Sequence, residues 1–203
     1  MRNVRMYFAI ACAVALACAF ALSKAEAAPT YVGSAQCKVC HNKKDEGEQY
    51  NKWKAEKHSK AFETLKSPEA VKIGQDKGLA KPPHEAPECL KCHTTAFDAA
   101  TGKVPDKIKL EDAVSCEQCH GPGSDHIAAG KKVMFQKDTT IDMAATQPKI
   151  EAAMCTKCHN EESPTWKADR YTKEDGTKVG FDFDLAKKKI DHSNPKKKAE
   201  QGG

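Results

Sequence analysis

Apolar residues are spread unevenly along the chain. One continuous run, from about Met6 to Leu22, stands near the N-terminus; beyond it they come singly or in small clusters among Lys, Asp and Glu. Residues 30–36 read as an extended lead-in. From Glu46 to Leu65 good helix formers predominate, with Tyr50, Trp53, Lys57 and Ala61 recurring on one helical face and His58 inside the same predicted helix. Ser67-Pro68-Glu69 predicts a helix start, with Ser at the cap and Pro in the first turn, and Gly74 and Gly78 keep that helix short. Lys81-Pro82-Pro83-His84-Glu85-Ala86-Pro87 is not helical, because its prolines remove donors and push their preceding residues toward extended geometry, so His84 sits on a stiff loop. Residues 94–108 read as a turn-rich connection, 139–146 carry no decisive pattern, and 148–158 read as a helix. Glu174-Asp175-Gly176-Thr177 predicts a hairpin turn. A last helix is predicted over 182–190, with Phe181, Phe183, Leu185 and Ile190 as its apolar residues and His192 just past its end. The fold class is therefore mainly α, with short helices, long loops and little or no sheet.

Arg2 and Arg5 precede the N-terminal apolar run, and Ala25-Glu26-Ala27 follows it as a small-x-small cleavage site, which together read as a secretory signal peptide over 1–27. A membrane anchor is the rival reading, but about 17 apolar residues is at the short limit for a span. Lipid attachment at Cys18 is disfavoured because apolar residues continue past it. The expected location is periplasmic or extracellular. Cleavage leaves 176 of the 203 residues, the length of one domain, expected over 28–193 with a disordered Lys-rich tail over 194–203. So polar a chain has few side chains for a core of its own.

The cysteines change that picture. Cys37-Lys38-Val39-Cys40-His41, Cys89-Leu90-Lys91-Cys92-His93, Cys116-Glu117-Gln118-Cys119-His120 and Cys155-Thr156-Lys157-Cys158-His159 account for every cysteine after residue 18. Two thiols one helical turn apart can each bond one vinyl group of a porphyrin while the next side chain reaches the iron, which is the pattern of c-type haem attachment. Four disulfides would leave the four adjacent histidines as coincidence, and a zinc site on paired CxxC motifs leaves them equally unexplained. The expected cofactors are four haem c groups, flat apolar bodies that would serve as the core. The unequal motif intervals indicate repetition of a site, not a solenoid.

Charge adds little. Losing Arg2, Arg5, Lys24 and Glu26 takes the 33 basic and 28 acidic side chains to 30 and 27, and haem propionates would offset the remainder. Lys187-Lys188-Lys189 and Lys196-Lys197-Lys198 accordingly read as a solvated face and a frayed tail, and no nucleic-acid partner is expected.

Of the eight histidines, four belong to the motifs, and His58, His84, His126 and His192 match the number of open axial positions on four irons. Singly, each reads as a surface imidazole. The matching set instead implies bis-histidine ligation at most or all irons, which blocks both faces and favours electron transfer over substrate binding. Methionine is the competing ligand and is disfavoured at every site: Met134 and Met143 are free to move to an iron, whereas Met154 adjoins Cys155 and is badly placed for its own haem. His126 follows His120 too closely to reach the opposite face of the same haem, so it is expected to serve a neighbour.

The four motifs, the Trp53-Lys54-x-x-x-His58-Ser59-x-Ala61-Phe62 segment and Cys116-Glu117-x-Cys119-His120-Gly121-Pro122-Gly123 resemble the tetrahaem cytochrome c-554 family over most of residues 30–192. The resemblance implies a mainly helical fold wrapped on four haems stacked in close pairs and acting as an electron carrier. It also implies that His58 serves the third haem and His126 the fourth. The family places a distal histidine between its second and third motifs, but residues 94–115 contain none, which leaves the ligands of the first two haems open. A five-coordinate haem is known in that family, and this chain has enough histidines to close it. The expected function is exchange of single electrons between redox partner proteins, without chemistry on a bound substrate. The rivals are a small nitrogen-oxide reductase with one open iron and a self-assembling filament subunit in which His192 is lent to a neighbour.

Overall fold

A computed structural model describes residues 27–195. The expected signal peptide and most of the Lys-rich tail lie outside the described residues. Among the described residues the helices are α1 (Ser34–His41), α2 (Gln49–Ala55), α3 (Ala61–Thr64), α4 (Pro68–Asp76), α5 (Pro87–His93), α6 (Cys116–His120), α7 (Ser124–Gln136), α8 (Ala152–Thr156) and α9 (Phe183–Lys189). The sheet is one antiparallel ribbon, β1 (Tyr171–Thr172) and β2 (Lys178–Val179), registered Tyr171 to Val179. No helix among the described residues is long and apolar enough to cross a membrane.

Local chemistry fixes the boundaries. Ser67 caps α4, its hydroxyl accepting from Ala70 N–H at 3.1 Å, and Asp182 does the same for α9 through Leu185 N–H at 2.9 Å. The predicted hairpin turn forms: Gly176 takes φ +82° and Asp175 accepts from Thr177 N–H. The single helix expected over 46–65 is broken. Glu56 is extended, and Ser59 Oγ donates to the Lys54 and Glu56 carbonyls at 2.9 Å, drawing off the backbone that would continue α2. His58 therefore opens a one-turn 3-10 helix, His58–Lys60, rather than lying mid-helix. The segment after Gly121-Pro122-Gly123 forms the 13-residue α7, and the helix expected over 148–158 shrinks to α8.

The protein-only core is small. Phe62, Leu65, Leu90 and Ala113 form its buried cluster, with Phe97 and Leu110 packed against it. Trp53, which faces inward as its spacing predicts, donates its indole N–H to the Val114 carbonyl at 2.9 Å. Burying each large apolar side chain contributes about 1.5–3 kcal/mol, a modest total for a chain this polar. Beside the cluster lies a buried polar seam, where Thr95 Oγ1 donates to Ala113 O at 2.8 Å and accepts from Ser115 N–H at 2.7 Å. It ties the second motif's exit to the third motif's entry.

Candidate haem sites

Two of the motif helices begin or end at a left-handed glycine that sets their direction. Gly33, before α1, has φ +83°, and a Cβ there would meet the Lys107 carbonyl at 2.8 Å. Gly121, just past His120, has φ +70° and stops α6 at the motif's last residue. All eight motif cysteines carry free, partly buried thiols, and none is in a disulfide.

The thiols show which motifs adjoin. Cys37 interacts with Cys116, which raises the Cys37 pKa and lowers that of Cys116. Cys158 interacts similarly with Cys92, whose thiol is lowered to about 7. Cys119 senses Cys155, and Cys158 senses Cys119, through charge alone. The first motif thus adjoins the third, the third the fourth, and the fourth the second. The second and third motifs, neighbours in sequence, are not the close thiol pair.

The imidazoles complete the sites. Three of the remaining histidines face a motif histidine: His126 faces His41, His192 faces His120 and His58 faces His159, each with ring centroids 6.0 Å apart. With metal–nitrogen bonds of about 2 Å, two imidazoles bound to opposite faces of one metal hold their centroids about 6 Å apart, so these pairs have the separation of axial ligands. The ring planes are near parallel for His41–His126, at 18°, and steeply crossed for His58–His159 and His120–His192, at 66° and 71°. This pairing departs from the one the resemblance implied, which put His58 with the third motif and His126 with the fourth. The physical reason is the break at Glu56, which re-aims His58 toward His159, and the course of α7, which carries His126 to the first motif.

Hydrogen bonds orient several of these rings. The carbonyls of Ala61 and Ile190 can only accept, so His93 and His192 donate Nδ1–H to them, at 2.7 and 2.8 Å. Thr146 gives its hydroxyl proton to Met143 O and so accepts Nδ1–H from His126 at 2.8 Å. In all three the proton is fixed on Nδ1, leaving the Nε2 lone pair for a metal. Burial, reinforced by His192, His126 and His41, lowers the His120 pKa to about 4, and burial lowers His58 and His159 as well, keeping these rings neutral. His84 differs. Its Nδ1 is buried without a hydrogen-bond partner, its Nε2 lies 3.7 Å from Glu85, and no ring pairing with His93 is seen among the described residues. Thiol pairs, imidazole spacing and fixed tautomers fit haem c.

Sequence reasoning missed Glu117, a buried carboxylate inside the third motif. Its Oε1 accepts from the backbone N–H of Val32 and Gly123, at 2.9 and 2.8 Å, and its Oε2 from Gly33 N–H at 2.8 Å. It thereby binds the lead-in of the first motif to the third. The only signal was an acidic residue between two motif cysteines. Phe181, expected only as a helix's apolar residue, stacks on His159 at 5.6 Å and 15°.

Residues 36–121 match the sequence model of the family described as cytochrome c554 and c-prime. Cytochrome c-554 of Nitrosomonas europaea is 29% identical over 205 residues, covering 91% of this chain and 85% of that protein. The multiheme cytochrome MtrA of Shewanella baltica is 25% identical over 116 residues, which take in 52% of this chain and 33% of that protein. No solved structure matches the chain. Helices that present CxxCH motifs, with likeness to these relatives, define a multihaem c-type cytochrome, a haem-iron protein of electron transfer. The likeness is to the cytochrome c-554 family, over residues 36–121 by its sequence model and over most of the chain by that relative.

Proposed function

We propose that the protein is an exported tetrahaem c-type cytochrome, periplasmic or extracellular, that carries single electrons between redox partner proteins without transforming a bound substrate. The observation that carries this reading is the set of three imidazole pairs at 6.0 Å, because an iron held on both faces exchanges electrons and little else. Bound at these motifs, haem c would supply reversible one-electron chemistry at iron. The chain's own residues do the rest. The eight motif cysteines anchor the porphyrin edges, and His41, His93, His120 and His159 take the proximal positions. His126, His192 and His58 take the distal positions opposite His41, His120 and His159. His84 is assigned to the His93 site, where its buried, unpartnered Nδ1 is the nitrogen to ligate. The thiol contacts order the motifs first, third, fourth, second, so that the first and second stand at the ends of the path.

His192 faces His120 of its own chain, which favours a carrier complete within one subunit over a filament that borrows this ligand. One observation favours a second reading, the reductase: among the described residues no imidazole faces His93 at the separation of the other three pairs, so its iron would be the open one.

Haem quantification per chain with electron paramagnetic resonance of the ferric protein tests this. Near-parallel imidazole planes split the two iron π orbitals, whereas crossed planes leave them nearly degenerate. The His41–His126 site should therefore give a rhombic low-spin signal, and the His58–His159 and His120–His192 sites strongly anisotropic ones. Four haems, all low-spin, is the expected result. A high-spin signal of about one haem in four would remove His84 as a ligand and favour the reductase; fewer than four haems would remove the tetrahaem reading.

A further inference from the structure

Four large apolar side chains stand exposed among the described residues, and three gather at one motif. Val39 is 74% exposed, Phe135 77% and Met134 41%. Met134 Sδ lies 3.8 Å from Cys40 Sγ, so the C-terminal turn of α7 rests on the first motif beside the sulfur that would hold the porphyrin edge. These side chains are not simply a cover for that haem. Cys37 and Cys40 share one side of α1, and Val39 projects away from it. On α7, Phe135 lies nine residues after His126, which at 3.6 residues per turn is about half a turn from the side that faces His41.

The two chain segments that carry these side chains are basic. Residues 38–44 and 131–137 contain Lys38, Lys43, Lys44, Lys131, Lys132 and Lys137, all exposed, and no carboxylate. Just beyond them stand Asp45, which is exposed, Glu46, which takes up Lys43 at 3.4 Å, and Asp138, which is turned onto Thr140. An apolar centre ringed by lysines at a cofactor edge suits a partner with acidic side chains around its own redox centre, because complementary charge steers the encounter and the apolar patch sheds water on contact.

We propose that Val39, Met134 and Phe135, ringed by these lysines, form the docking surface for an acidic redox protein that exchanges electrons at the first motif. This rests on the electron-carrier reading. The test is stopped-flow reduction of the fully haem-loaded protein by reduced flavodoxin, an acidic one-electron protein used as the probe. The wild-type second-order rate should fall about tenfold or more from low to moderate ionic strength. Lys131→Glu with Lys132→Glu should cost about tenfold at low salt. Phe135→Ser should slow the reaction at every salt concentration, and Lys187→Glu with Lys188→Glu should have little effect.

Equal losses from both lysine pairs would mean that net charge alone governs the rate and would overturn the site. So would an unchanged rate for the first pair. A changed first-haem spectrum in Phe135→Ser would identify that ring as a haem cover, and wild-type self-association abolished by Phe135→Ser would identify the occupant as a second copy; either overturns the proposal. Haem number and spin state, measured on the same samples, separate these failures from failure of the carrier reading.

Discussion

On the proposed four-haem ligation, one iron in four should become high-spin in His126→Ala holoprotein while the other three keep their signals, and the signal that disappears should be the rhombic one. The ring lost is the one parallel to His41, and alanine leaves nothing within reach of that face. Thr146, which had accepted the Nδ1 proton, turns to water, so the loss is confined to one site. Added imidazole should restore the low-spin spectrum by entering the position the side chain left. His58→Ala and His192→Ala should each remove one of the anisotropic signals instead, because their rings cross their partners steeply. If all three variants retained wild-type spectra, the pairing would be wrong; if His126→Ala removed an anisotropic signal, the assignment of sites would be.

Glu117→Ala should have the largest effect on stability of any single change outside the ligands, about 3 kcal/mol or more, read from denaturant unfolding of the haem-loaded protein. Three backbone N–H groups lose a charged acceptor at once, and burial limits how far water can replace it. Glu117→Gln should recover only part of the loss, since its amide nitrogen would turn a donor toward other donors. Because the carboxylate holds Val32 and Gly33 against the third motif, the variant should also perturb the potentials of the first and third sites before the other two. A loss below about 0.5 kcal/mol would mean that solvent reaches the site.

The chemistry was more legible than the geometry. Cys-x-x-Cys-His declares itself because its spacing is local, one turn of chain presenting two thiols and an imidazole. Ser67-Pro68 and Asp182 mark helix starts for the same reason: cap and helix lie within four residues. Which imidazole meets which is set by long-range packing. The break after α2 depends on Ser59 outbidding the helix for the Lys54 and Glu56 carbonyls, and on Val114 N–H bonding to the His58 carbonyl from far along the chain. Neither contact leaves a periodic trace. Glu117 was hidden by convention, since the middle residues of a haem motif are taken as spacers, whereas here one of them is the buried anchor for two other backbone segments. The thin core was foreseeable from composition, and its small cluster at Phe62, Leu65, Leu90 and Ala113 matches that expectation.

The pairing of His41 with His126, His58 with His159 and His120 with His192 joins points far apart along the chain, and the three spans overlap. An iron held by both members of such a pair, as proposed, would act as a cross-link whose loop entropy is removed when the second imidazole binds, and the gain would grow with the length of the loop closed. Each such link depends on a residue synthesised much later than its partner, the latest being His192. On the proposed ligation, covalent attachment could proceed motif by motif as each emerges, but the third site would stay half-gripped until the last helix had followed, and a chain truncated before residue 192 would be loaded yet never locked.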